Sequence, residues 1–146
     1  MTGQVLRTAA LAVGILAAVP ATAGPPGIPV RVRILKGSRI GPPAVDPRLS
    51  DLRTQLGHLV YARWDQVSES QSAMDSGKAW QLALPDGSDL RLTLLQAYKD
   101  TLTFQVNVPA HRTTSRLTIS KNKRIVHQVT IEKGGEAYFV SVRPWP

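Results

Sequence analysis

Residues 79–95, AWQLALPDGSDLRLTLL, decide the fold. Two apolar-rich runs, 79–84 and 90–95, flank Pro85-Asp86-Gly87-Ser88-Asp89. An Asp-Gly pair between such runs is a strong short-range signal for a β-hairpin, because glycine accepts the positive φ that tight hairpin turns require. The same punctuation continues downstream. Leu102, Phe104, Val106 and Val108 alternate with polar residues, Leu117 and Ile119 precede a Lys121-Asn122-Lys123 turn, and Ile125, Val129 and Ile131 lie beyond it. Gly134-Gly135 then turns the chain into residues 138–142, YFVSV. Short alternating runs joined by short turns predict antiparallel β-structure.

Upstream, residues 30–35, VRVRIL, alternate apolar and cationic side chains, so a strand with one buried face is expected, with Arg31 and Arg33 pointing to solvent. Residues 60–65 predict another strand, leading into a polar stretch over 68–76. One helix is expected between these strands. Asp46 is a favoured N-cap, and Pro47 sits at the first helical position, where its missing N–H costs nothing. Leu49, Leu52, Leu56 and Leu59 follow at helical spacing and predict about three turns lying on a sheet. The expected class is therefore α+β, mainly antiparallel β: about seven strands as a sheet or small sandwich, with one helix packed near the N-terminal edge.

The chain has 146 residues, 18 Lys+Arg against 10 Asp+Glu, a formal charge of +8 and no cysteine. That length fits one ordinary domain. Without cysteine there is no disulfide framework, zinc ribbon, iron–sulfur cluster or thiol nucleophile. The first 23 residues read as a secretory signal peptide: Arg7 supplies positive charge, residues 9–19 are apolar, and Ala21 and Ala23 are the small residues of a cleavage site after Ala23. The apolar run is well short of the roughly 20 residues that span a bilayer. Residues 24–29, GPPGIP, read as a linker, 30–143 as a single β-rich domain and 144–146, PWP, as a tail. The expected location is the periplasm or the exterior.

In this order, a basic strand, then Val45-Asp46-Pro47-Arg48-Leu49 opening a leucine helix, then the Leu84-Pro85-Asp86-Gly87 hairpin, the chain resembles a group of small exported bacterial β-rich domains, mostly without assigned function. The resemblance spans residues 30–143. It implies a non-catalytic module of the cell envelope and carries over no catalytic or binding residue.

Catalytic and metal motifs are absent from the sequence. It contains no Gly-x-Ser-x-Gly elbow, no His-Glu-x-x-His, no phosphate loop and no dinucleotide fingerprint. His58 falls at the end of the leucine helix, where an imidazolium favours the helix dipole. His111 and His127, if they flank a hairpin centred on residue 122, are about six residues out of register, roughly 20 Å along a strand. No catalytic residue, metal ligand or cofactor is expected.

Charge is the remaining signal, and it is uneven. Residues 24–45 carry Arg31, Arg33, Lys36 and Arg39 with no acid, while residues 80–146 carry nine bases against five acids. The expected binding residues are Arg31 and Arg33 on one face, Lys121, Lys123 and Arg124 at a hairpin tip forming a second, and Trp145 in the tail; Trp64 and Trp80 are assigned to the core. The expected partner is another envelope protein, in assembly, secretion or surface organisation. The alternative is an acidic glycan or anionic lipid headgroup held by the same cations. An export signal disfavours intracellular nucleic acid, and after processing no transmembrane segment is expected. A hydrolase is the remote third reading.

Overall fold

The computed structural model describes residues 27–120 and 122–144. The expected signal peptide, the start of the linker, Lys121 and Trp145 lie outside the described residues. Among the described residues, nine strands form two sheets. The first has the order β2-β3-β1-β9-β8, from β2 (Ala44–Val45), β3 (Arg63–Met74), β1 (Ile28–Ser38), β9 (Glu136–Pro144) and β8 (Ile125–Gln128). The second is a meander of β4 (Ala79–Ala83), β5 (Asp89–Tyr98), β6 (Thr101–Val108) and β7 (Thr113–Ser120). All pairings are antiparallel except the short β2–β3 bridge.

The expected hairpin is present as β4–β5. Gly87 closes it at φ +89°, with its N–H donating to the Leu84 carbonyl at 3.0 Å. Alternation then places one face of each strand inside. Leu90, Leu92, Leu94, Leu102, Phe104, Val106, Leu117 and Ile119 of the second sheet meet Val30, Val32, Ile34, Val140 and Val142 of the first. This is the main core of a β-sandwich. Trp80 packs against it partly buried.

A second apolar cluster lies on the opposite, outer face of the five-stranded sheet. There Leu35, Ala137 and Phe139 meet Leu49, Leu52, Leu56, Tyr61 and Trp64. The rings of Trp64 and Phe139 stand 4.8 Å apart edge-to-face, and Tyr61 closes the cluster at 5.5 Å from Phe139. Gly37 makes room for it. A Cβ there would lie 3.0 Å from both the Trp64 and Tyr61 rings.

Several expectations change. The leucine segment is a 3₁₀ turn over Pro47–Leu52, broken by a non-helical Leu49 (φ −102°), followed by a single α-helical turn, α1 (Arg53–Leu56). Asp46 caps it as expected, accepting from the Arg48 N–H at 3.0 Å, but also accepts from the Gln66 N–H of β3 at 3.1 Å. That second bond ties the turn to the sheet before three helical turns can form. Leu59 consequently falls outside the stripe and is exposed. The polar stretch from Ser68 is the second half of β3, paired with β1 as far as Met74. Residues 122–124 are no hairpin tip: β7 pairs with β6 and β8 with β9, so they lie on the link that carries the chain from one sheet to the other.

Leu52→Ala should therefore destabilise the protein by about 3 kcal/mol, whereas Leu59→Ala should change stability by less than about 0.5 kcal/mol. Denaturant unfolding of the two variants checks the pair. Equal losses would restore the longer helix.

Candidate functional site

The outer face of the five-stranded sheet is apolar only over half its length. Along β1 the residues on this side are Leu35, Arg33 and Arg31; along β9 they are Phe139, Ser141 and Arg143. Pairing aligns them across the strands. Glu69, Arg33, Ser141 and Val126 form one row, and Gln71, Arg31 and Arg143 the next. Arg124 enters beside them just ahead of β8.

Arg33 is the centre of this arrangement, and its position corrects the expectation of a solvent-facing side chain: it is 4% exposed. β1 is covered on its inner face by the second sheet and on its outer face by the 3₁₀–α1 segment, so neither side is open to water at Arg33. A buried guanidinium requires a paired acid. Asp51 supplies it from the covering segment, with Nη1–Oδ1 at 2.9 Å and Nη2–Oδ2 at 2.7 Å, and Nη1 also donates to the Arg48 carbonyl at 3.3 Å. These hydrogen bonds hold the Asp51 carboxyl below the usual carboxylate range. Partial burial works against them, while the charges of Arg33 and Arg124 add to them.

Arg31 is partly exposed, with Nε 3.1 Å from Oε2 of Glu69. The Gln71 amide, with its oxygen turned toward β1, accepts from Nη2 of Arg31 at 3.2 Å. Arg124 places Nε 3.2 Å from Oδ2 of Asp51, close enough for an ion pair but not aligned for a hydrogen bond. Asp51 thus joins Arg124, expected on a second face, to the face that carries Arg31 and Arg33. Lys123 is exposed on the link between the sheets.

Two members were not foreseen. Arg143 lies directly opposite Arg31 on the neighbouring strand. Burial first, then the charges of Arg124, Arg31 and Arg33, push its pKa down, with Asp51 opposing. Ser141 is 1% exposed, and its Oγ has no hydrogen-bond partner. Among the described residues, four guanidiniums lie along this face, with Asp51 and Glu69 among their partners. The alternation of Phe139, Ser141 and Arg143 carried the signal for both residues, had the last strand been extended past Val142.

The histidines are dispersed. His58 is exposed beyond α1, and His127 is half-buried, which pushes its pKa down. His111 meets Asp86 at 2.6 Å beside a cavity of about 440 Å³ lined also by Glu132, Lys133, Glu136 and Tyr138. Ser88 Oγ donates to the same carboxylate. The Ser88 side chain first, then its N–H and His111, hold Asp86 at about 2 against partial desolvation. Here the carboxylate sits between hydroxyl and imidazole, whereas activating a serine requires the imidazole in the middle. This constellation ties the β4–β5 turn to the β6–β7 connection. Among the described residues no three His, Asp or Glu side chains converge as a metal site, and no helix is long and apolar enough to cross a membrane.

No known protein family, curated protein or solved structure matches the chain.

Removing the Asp51 charge strands Arg33. Asp51→Asn should cost about 3 kcal/mol at neutral pH. Because pairing depresses the folded-state pKa of Asp51 below its ordinary value of 3.8, this difference from wild type should persist from pH 7 to 5 and close only as pH falls below that value and through the folded pKa. Urea unfolding of both proteins across this range measures it. A difference that shrinks between pH 7 and 5 would assign the stability to another group.

Proposed function

We propose that this protein is an exported, non-catalytic binding module of the bacterial envelope that takes an anionic ligand on the arginine-bearing half of its outer sheet face. The observation that carries this reading is the direct opposition of Arg31 and Arg143 on adjacent strands. Like charges placed directly opposite each other destabilise a sheet. With Arg124 and Arg33 close by, the position favours a negatively charged group. The acidic glycans and anionic lipid headgroups of an envelope supply such groups, and the signal-peptide pattern in the first 23 residues supports that location.

A second observation favours the protein-partner reading. β3 pairs with β2 only at Arg63 and Trp64, and the Gln66 N–H and carbonyl are taken by Asp46 and Arg48, so among the described residues its second edge is without a paired strand from Val67 to Met74. An open edge of this length accepts an added strand. Such contact depends on backbone hydrogen bonds and is insensitive to the arginines, so the same variants distinguish the two.

The test uses heparin, a soluble sulfated polysaccharide, as the probe. Arg31→Gln with Arg143→Gln should weaken binding at least about tenfold at low salt. Arg91→Gln with Arg116→Gln makes the same change in net charge on the opposite sheet, where both side chains are exposed. That pair should have little effect. Equal losses from the two pairs would reduce the binding to net charge and overturn the reading.

A further inference from the structure

We infer that the partner of the open β3 edge is a second copy of this chain, with two β3 strands paired antiparallel about a two-fold axis at Ser70. Two five-stranded sheets then join into one of ten. The inference names an occupant for the edge, rests on the second of the two readings above, and is independent of the arginine face.

Edge strands commonly carry devices against such pairing: lysines, prolines, bulges or a covering element. The chain has 18 Lys+Arg and 11 Pro, yet residues 64–77 contain none of them. The register of β3 against β1 skips one residue, Val67, so the bulge lies at the end of the open stretch rather than within it. β2 and the side chains of Asp46 and Arg48 occupy the edge as far as Gln66. From Ser68 to Met74 no strand is paired to it among the described residues.

An added strand also needs room. Ser68, Ser70 and Ser72 lie opposite Ile34, Val32 and Val30, and so point toward the second sheet. Those three β1 residues are buried, whereas Ser68 and Ser72 are exposed and Ser70 is partly exposed. The second sheet therefore stops short of β3, and the first sheet projects past it. A copy approaching from this side meets the projecting strand.

Register then selects the partner. Opposed residues of an antiparallel pair share a face, so a two-fold axis perpendicular to the sheet sets one residue against its own copy. Centred on Glu69, the pair opposes two carboxylates, and centred on Ser72 it opposes Glu69 to Asp75. Like charges in that position destabilise a sheet. Centred on Gln71, it sets Glu69 against Ala73, which offers the carboxylate nothing. Centred on Ser70, it sets Glu69 against Gln71, Ser68 against Ser72 and Ser70 against itself. This register is complementary. The Gln71 oxygen accepts from Arg31 at 3.2 Å, so its amide nitrogen is the arm that donates to Glu69 of the second copy. Symmetry makes that bond twice. Glu69 keeps its contact with Arg31 in its own sheet. On the other face the short serine side chains let the strands approach and pair their hydroxyls.

The chain has no cysteine, so one introduced thiol reports the register without interference. Opposed Cα atoms in an antiparallel pair lie about 4.5–5.5 Å apart, within the span of a disulfide. Under mild oxidation the purified Ser70→Cys protein should cross-link at least about tenfold faster than Thr118→Cys, an exposed position on the other sheet. An equimolar mixture of Ser68→Cys and Ser72→Cys should join as the mixed pair rather than as either like pair. Sedimentation of the wild-type protein should show a dimer that grows with concentration. Ser70→Lys, which sets two ammonium groups across the axis, should weaken it at least about tenfold. Should that variant fail to fold, wild-type sedimentation and the cross-linking rates still decide. A wild-type protein that stays monomeric, or a dimer in which Ser70→Cys links no faster than Thr118→Cys, overturns the inference. Hydrogen exchange on that wild-type protein then tests the reading beneath it, through the alternate β3 amides that do not bond to β1. Free exchange there leaves the edge open to a strand from another protein, so only the self-pairing falls. Protection in a monomer closes the edge, and both fall together.

Discussion

Between Val32 and Leu35 β1 has no face left for water, and the rest of the molecule is arranged around that constraint. It is the central strand of five, with the second sheet against Val30, Val32 and Ile34 and the leucine segment against Leu35. An apolar strand would satisfy such a position without help. This one carries Arg33, whose charge must be paired where it is buried, and the partner comes from the covering segment itself. Asp51 and the leucines on either side of it act together: Leu49 and Leu52 bring the segment onto the sheet, and Asp51 fixes where along the sheet it settles. The fork of Arg33 adds register to contacts that are otherwise nondirectional.

The segment covers only the half of the face built from Leu35, Ala137, Phe139 and Trp64. Where it ends, the sheet continues with Arg31, Arg143, Ser141 and Glu69. The link from β7 to β8 delivers Arg124 to the same place as it crosses between the sheets. The charged half of the face is therefore a product of topology: arginines from three separate stretches of the sequence become neighbours because β1, β9 and β8 are adjacent. The proposed site shares its acid, Asp51, with the interaction that holds the covering segment, so a ligand and the fold draw on one electrostatic balance.

Much of this architecture was legible in the chain. The Asp86-Gly87 hairpin and the alternations around Phe104 and Val140 report local periodicity, and local periodicity survives folding. The second half of β3 did not show, because Ser68, Ser70 and Ser72 alternate with Glu69 and Gln71 and no apolar face marks the strand; backbone pairing to β1 holds it. The helix was overestimated because leucine spacing cannot reveal that Asp46 also binds Gln66, twenty residues on. The site was legible only in fragments. Arg31, Arg33 and Arg124 stand out as charges, but the burial of Arg33 depends on Asp51, eighteen residues away, and on a cover that only tertiary structure provides. Arg143 and Ser141 gain their meaning from cross-strand pairing, which a single sequence does not display.

The central claim is that these arginines act as one anion-binding group, and arginine side-chain NMR tests it most directly. With the guanidinium Nε–H resonances assigned, a short heparin oligosaccharide is titrated at constant ionic strength. Saturable shifts with a common dissociation constant at Arg31, Arg124 and Arg143, with Arg91 and Arg116 unmoved, are the predicted result. Small linear shifts spread over all five arginines would contradict it.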